Sequence, residues 1–213
     1  MKFIFLKSAL LGAILSISNF ANAGLIPHGV QEDVSYTDVT NSWGWNLLYR
    51  GDYASSINVS SMFSGHQDYI MLGAINGSSN TIKLLAAVKW TDFITHTAQN
   101  VTKSLNGAEW YNNGGSLGFA HLGDSIRQGS ADTRSENAGK RLSWHTSGGY
   151  GTTAISVNGG WRAGSVTNLN NSTSWDRVVF TTNATVDVPE PSTLAIFALG
   201  MIGLASRRFK NQS

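Results

Sequence analysis

The chain has no cysteine, and that absence removes a set of chemistries at once. No disulfide framework, thiolate nucleophile or Cys-ligated zinc can be built from it. Charge is also scarce, at 13% Asp, Glu, Lys and Arg. The formal net charge of +2 overstates the basicity of the middle of the chain. All 13 acidic residues lie between Glu32 and Glu190, whereas Lys2, Lys7, Arg207, Arg208 and Lys210 of the 15 basic residues sit near the ends. Residues 24–191 therefore carry 10 basic against 13 acidic side chains, a net of −3. A mildly acidic body offers no basic patch to neutralise phosphates, so nucleic acid drops out as a partner. No apolar run reaches the ~20 residues of an ordinary membrane span. The middle also shows no sustained 3.6-residue periodicity.

What is present describes an extracellular β-rich domain. Glycine numbers 23 and tryptophan seven, among much Ser, Asn and Thr. A body of about 165 residues is long enough to bury roughly 70% of its unfolded surface without covalent staples. Short β-branched or aromatic runs are cut by Asn, Gly and Ser. "DYIMLGAI", "NGSS" and "NTIKLLAAVKW" read as a hairpin, with Asn76-Gly77 supplying positive φ at its turn. "LLAAVKW" is the best place for a short helix, but strand is favoured there. "SLGFAHLG" reads as another strand. "KRLSWH", "TTAISV" and "GWRAG" read as three more, separated by Gly-rich turns. "WDRVVFTT" alternates, with Asp176, Val178 and Phe180 on one face and Arg177, Val179 and Thr181 on the other. "SLNGAEWYNNGG" and residues 129–139 read as long surface loops. The expected fold is mainly β, an antiparallel β-sandwich or jelly roll over residues 24–187.

Both ends carry export signals. Lys2 and Lys7 precede an apolar stretch over residues 9–17, followed by the small-x-small site Ala21-Asn22-Ala23. This is a secretory signal peptide over residues 1–23, cut between Ala23 and Gly24. It implies the Sec export machinery and a signal peptidase as partners. At the other end, residues 192–206 are fifteen uncharged residues, roughly 22 Å as a helix, a short transmembrane helix. Arg207, Arg208 and Lys210 follow and hold the C-terminus on the cytoplasmic side, as a stop-transfer cluster does. Pro189-Glu190-Pro191 stands just before the run. Two prolines keep that backbone out of helix and the glutamate offers one charge to read.

The string "VPEPSTLAIFALGMIGLASRRFK" resembles the PEP-CTERM sorting signal of Gram-negative bacteria, so residues 188–213 read as a sorting segment. The resemblance implies recognition of Pro189, Glu190 and Pro191 by an exosortase, removal of the tail, and transient inner-membrane association before delivery to the cell surface, outer membrane or exterior. It also implies a bacterium that makes exopolysaccharide and biofilm. The same segment is also known as an ice-binding protein C-terminal domain, although no Thr-x-Thr ladder supports ice binding here.

The middle holds weaker chemical signals. "GGSLG" fits Gly-x-Ser-x-Gly, but a nucleophile elbow needs a strand, a sharp turn and a helix, and strand follows here. His28, His66, His96, His121 and His145 form no metal-ligand spacing, so neither metal nor cofactor is expected. Arg50-Gly51-Asp52 reads as a tight turn. Trp43 and Trp45 would share one face of a strand. Trp110, beside Tyr111, is the candidate for an exposed aromatic residue that stacks on sugar rings. The first expectation is a non-enzymatic envelope or matrix protein. A carbohydrate-binding module using Trp43, Trp45, Trp110 and Tyr111 comes second, and a two-carboxylate glycan hydrolase third.

Overall fold

The computed structural model describes residues 24–64, 68–126, 137–149 and 154–182. All belong to one compact unit, Gly24–Ala184. Ala21, Ala23, Pro189, Glu190, Pro191, Arg207, Arg208 and Lys210 lie outside the described residues, as do the expected signal peptide and C-terminal helix. Among the described residues, no helix is long and apolar enough to cross a membrane.

Thirteen strands, numbered along the chain, form two antiparallel sheets among the described residues. The first contains β1 (Gln31–Ser35), β2 (Asn46–Asp52), β4 (Tyr69–Asn76), β5 (Thr81–Lys89) and β13 (Trp175–Thr182), in the order β1-β5-β4-β13-β2. The second runs β12 (Val166–Thr167), β11 (Arg162–Ala163), β9 (Leu142–Gly149), β8 (Gly114–His121), β7 (Ala108–Asn112), β6 (Lys103–Leu105). β10 (Ser156–Asn158) pairs the far half of β9 and carries β3 (Ser56–Asn58) on its other side. β6 to β9 stand side by side in chain order, a meander rather than the crossing connections of a jelly roll. The sandwich expectation holds.

The two sheets bury one core between them. The first sheet supplies Ile70, Leu72, Ala74, Leu84, Ala86, Val88 and Val179; the second supplies Ala108, Trp110, Leu117, Phe119, Leu142 and Trp144. The outer face of the first sheet is also covered. Met71, Ile75, Ile82, Leu85, Ala87, Val178 and Phe180 pack there under Val39 and Trp45, with Ile26 and Trp43 leaning on them. Burial on both faces explains why β4 and β5 read as nearly unbroken apolar runs instead of alternating ones. Each fully buried side chain of this size contributes about 1.5–3 kcal/mol, so the covering segment is a second core in its own right.

The β4–β5 hairpin forms as the sequence indicates, with Leu72 opposite Ala86. Its turn differs. Gly77 is not among the positive-φ residues; instead the Ser79 N–H closes on the Asn76 carbonyl at 2.8 Å. The Asn76 Oδ1 accepts from Ser78 N at 3.3 Å and Ser78 Oγ at 2.9 Å. The asparagine side chain organises this turn, so left-handed backbone is unnecessary. "LLAAVKW" is strand to Lys89, and one helical turn, Trp90–Phe93, follows. On β13, Val178 and Phe180 face the outer core while Val179 faces the inner one, matching the expected alternation.

"SLNGAEWYNNGG" is no surface loop. Leu105 pairs with Ala108 across Asn106-Gly107, whose φ angles of 46° and 78° are both left-handed. Positive φ at both central residues is the two-residue hairpin turn that Asn-Gly favours. Every residue of β7 is buried. Arg50-Gly51-Asp52 is likewise no turn: it closes β2 and pairs with Val178, Arg177 and Asp176.

Candidate functional site

Where the chain leaves β5 it crosses from the first sheet to the second through the turn Trp90–Phe93 and residues 94–102. That crossing covers one end of the inner core. Phe93 drops its ring edge-on to Trp110, with centroids 6.0 Å apart and planes at 85°. Trp90 and Phe63 pack on Phe93 from outside, and Phe119 backs Trp110 from within. Offset and edge-to-face rings of this kind favour a fixed arrangement beyond their area alone.

Asparagines tie the crossing segment to β7. The Thr97 N–H donates to the Asn112 carbonyl at 2.8 Å, and Asn112 N–H returns a bond to Thr97 Oγ1 at 3.1 Å. Asn112 Nδ2 donates to the Phe93 carbonyl at 3.0 Å, and Asn113 Nδ2 reaches Thr97 Oγ1 at 3.3 Å. Asn113 Oδ1 accepts from Gly115 N and Ser116 N. "YNNGG" is therefore a buried polar seam.

Between seam and crossing lies a small cleft of about 10 Å³, lined by Asp92, Phe93, Thr95, Thr97, Lys103, Leu105, Trp110, Tyr111 and Asn112. That is room for the centre of one water-sized group. Two of its lining residues each hold a buried side-chain atom with no hydrogen-bond partner: the indole Nε1 of Trp110 and the Oδ1 of Asn112. Trp110 and Asn112 sit two apart on β7 and so share a face. One is a donor and the other an acceptor. At the rim, Lys103 Nζ donates to the Thr95 carbonyl at 3.5 Å, and Asp92 and Thr95 are exposed.

A second polar cluster joins the two sheets. Arg177, fully buried, donates through Nη2 to the carbonyls of Asp52 at 2.7 Å and Ser55 at 2.6 Å, and through Nη1 to the Gly159 carbonyl at 3.3 Å. Its guanidinium carbon lies 5.7 Å from the centre of the Tyr53 ring. Burial lowers the Arg177 pKa, against the nearby phenols of Tyr49 and Tyr53. Burial likewise drives the Tyr53 phenol well above its ordinary value, while the hydrogen bond from Trp144 opposes that shift. These groups meet backbone and one another, an arrangement that fastens loops.

The candidate aromatic residues are placed differently from expectation. Trp110 is 3% exposed and Tyr111 fully buried, because both belong to a strand in the interior of the second sheet. Neither ring presents a face for stacking. Trp43 and Trp45 do not share a strand: Gly44 between them has φ +72°, a left-handed turn of the chain. Trp45 is buried, donating Nε1 to the Leu25 carbonyl at 2.8 Å, and Trp43 is half-buried against the outer core. Trp90, Trp161 and Trp175 are half-buried and Trp144 is buried, so no tryptophan is fully exposed.

Ser116 of the Gly-x-Ser-x-Gly string lies within β8, with no strand-to-helix turn around it. His66 falls outside the described residues. Among the described residues, no group of three or more His, Asp or Glu is placed to hold a metal ion. Glu109, nearly buried, accepts from Ser104 Oγ at 2.6 Å and Gly123 N at 3.0 Å.

The sequence reading missed the β6–β7 hairpin and with it the cleft. The signal was present in Asn106-Gly107, a two-residue turn dipeptide flanked by "KSL" and "AEWYN".

Residues 187–208 match the PEP-CTERM protein-sorting motif, about a tenth of the chain. No curated protein and no solved structure matches the chain.

Proposed function

We propose that this chain is a non-enzymatic, exported cell-envelope or extracellular-matrix protein of an exopolysaccharide-producing Gram-negative bacterium. A signal peptide over residues 1–23 sends it through the Sec route, and an exosortase reads Pro189, Glu190 and Pro191 and cleaves the tail. The mature body is a β-sandwich displayed on the surface or released into the matrix.

The observation that carries this reading is the sorting-motif match over residues 187–208. It begins a few residues after β13 ends at Thr182. The last described strand is thus complete before the signal starts, so removing the tail takes away none of the described strands. Stacking of sugars on exposed tryptophan faces gains no support, since the rings are buried or half-buried.

Intact mass of the protein recovered from the cell surface tests the proposal. The expected mass begins at Gly24 and lacks the residues that follow the Pro-Glu-Pro motif. A mass that retains residues 194–213 would overturn it and leave an ordinary membrane anchor.

A further inference from the structure

We propose that Asn158 is a self-modifying residue, whose carboxamide closes on the backbone nitrogen of Gly159 to a succinimide that water opens to aspartate or isoaspartate. This goes beyond the sorting reading and does not depend on it.

The chain holds four Asn-Gly dipeptides, at residues 76–77, 106–107, 113–114 and 158–159. A following glycine has no Cβ to hinder attack by its nitrogen on the asparagine carboxamide, so all four are candidates in the sequence. The structure separates them. The Gly77 N–H is committed to the Ser174 carbonyl at 2.8 Å. Asn106 Nδ2 donates to the carbonyls of Pro27 and Ala87, each at 2.8 Å, which holds its carboxamide between two other segments. Asn113 is 1% exposed, and its Oδ1 accepts from Gly115 N and Ser116 N. Asn158 carries none of these restraints. It is exposed at the end of β10, and the Gly159 N–H donates to no described residue.

The partners of the Asn158 carboxamide are serine hydroxyls. The Ser56 hydroxyl donates to its Oδ1, and its Nδ2 donates to Ser156 Oγ at 3.1 Å, which lies 2.5 Å from Ser147 Oγ. As the ring closes, negative charge gathers on Oδ1, where the Ser56 donor already stands. The step consumes only water. Gly159 N gives its proton to solvent and bonds to Cγ of Asn158, the Cγ–Nδ2 bond breaks, and Nδ2 leaves as ammonia with a proton returned by solvent. Water then adds to one of the two ring carbonyls. Opening at Cγ gives aspartate, and opening at the main-chain carbonyl gives isoaspartate. Isoaspartate lengthens the main chain by one carbon beside Gly159, whose carbonyl accepts from Arg177 Nη1 at 3.3 Å. The change thus falls next to the buried arginine that fastens these loops.

The experiment incubates the folded protein recovered from the cell surface in mildly alkaline buffer, beside a sample unfolded in guanidinium chloride. Peptide mass spectrometry follows each Asn-Gly site over time, and enzymatic methylation of isoaspartate gives a second readout. In the folded protein Asn158 should convert at least fivefold faster than Asn76, Asn106 and Asn113. In the unfolded sample the four rates should converge. Ser56→Ala, a change at an exposed position, should slow the folded Asn158 at least threefold while tryptophan emission stays native. An Asn158 that converts no faster than Asn76 in the folded protein overturns the proposal. So does a lead of Asn158 that persists in the unfolded chain, or a Ser56→Ala rate that is unchanged or raised.

Discussion

The indole Nε1 of Trp144 donates to the phenol oxygen of Tyr53 at 3.0 Å, joining residues 91 apart in the chain. Trp144 lies on β9 of the second sheet, and Tyr53 directly follows β2 of the first. Both side chains are fully buried, and the Arg177 guanidinium sits over the same Tyr53 ring. The bond therefore links the two sheets through their shared interior. It also gives the buried indole N–H the hydrogen-bond partner that its burial requires.

Tyr53→Phe removes that acceptor with little change of shape. The Trp144 N–H is then buried without a partner, and stability should fall by about 1–3 kcal/mol. The midpoint of chemical denaturation checks this. The phenol also sets an alkaline dependence. Its folded pKa is raised by burial, so the folded state keeps a proton that the unfolded state loses above about pH 10. The stability from this group is complete below that pH and declines as pH rises toward the folded value. In Tyr53→Phe, the alkaline decline should be shallower than in the native protein.

Arg177 and Asp176 are neighbours on β13 with different expected weights. Arg177→Met removes the guanidinium from the carbonyls of Asp52, Ser55 and Gly159, of which Asp52 keeps the Ser55 hydroxyl as a donor. A loss of about 3 kcal/mol or more is expected, as charged hydrogen bonds are broken and buried acceptors left unpaired. Asp176 instead pairs with Arg50 at 2.6 Å near the surface, with side chains 17% and 33% exposed. Solvent screens such a pair, so Asp176→Asn should cost less than about 1 kcal/mol. Equal losses in the two variants, measured by thermal or denaturant unfolding, would contradict this assignment.

Gly118 lies where β8 meets β9. A Cβ there would run into the Leu142 carbonyl oxygen and the Tyr111 hydroxyl, two groups already hydrogen-bonded to each other. Neither can retreat without breaking the ladder, so Gly118→Ala should cost about 1–3 kcal/mol and reduce the yield of folded protein. Gly139→Ala is the control, since its nearest foreign atom would be a Glu32 side-chain oxygen at 3.7 Å. It should change stability by no more than about 0.5 kcal/mol.

Much of the strand pattern was legible because local chemistry encodes it. β4, β5, β8, β9 and β13 announce themselves as β-branched or aromatic runs, and the alternation on β13 places Val178 and Val179 on the correct opposite faces. β7 was hidden. Its two asparagines and flanking glycines have loop composition, while their actual work is to bind Thr97 and Phe93 from a segment that follows another sheet. Such a partnership has no sequence period. Trp110 illustrates the same limit: aromatic and polar neighbours look like an exposed site in one dimension, yet burial is set by what packs on top.

The sequence by itself determined the sorting motif and the β class. A sorting motif is a linear feature, carried by a short contiguous string. It likewise excluded cysteine chemistry, because composition bounds that directly. Only the tertiary structure decided that the first sheet is covered on both faces, that the tryptophans turn inward, and that the asparagines of β7 bind the segment that follows β5. Each depends on residues far apart in the chain arriving within a few ångströms of one another. Strand pairing and core packing fix those distances, and local composition does not encode them.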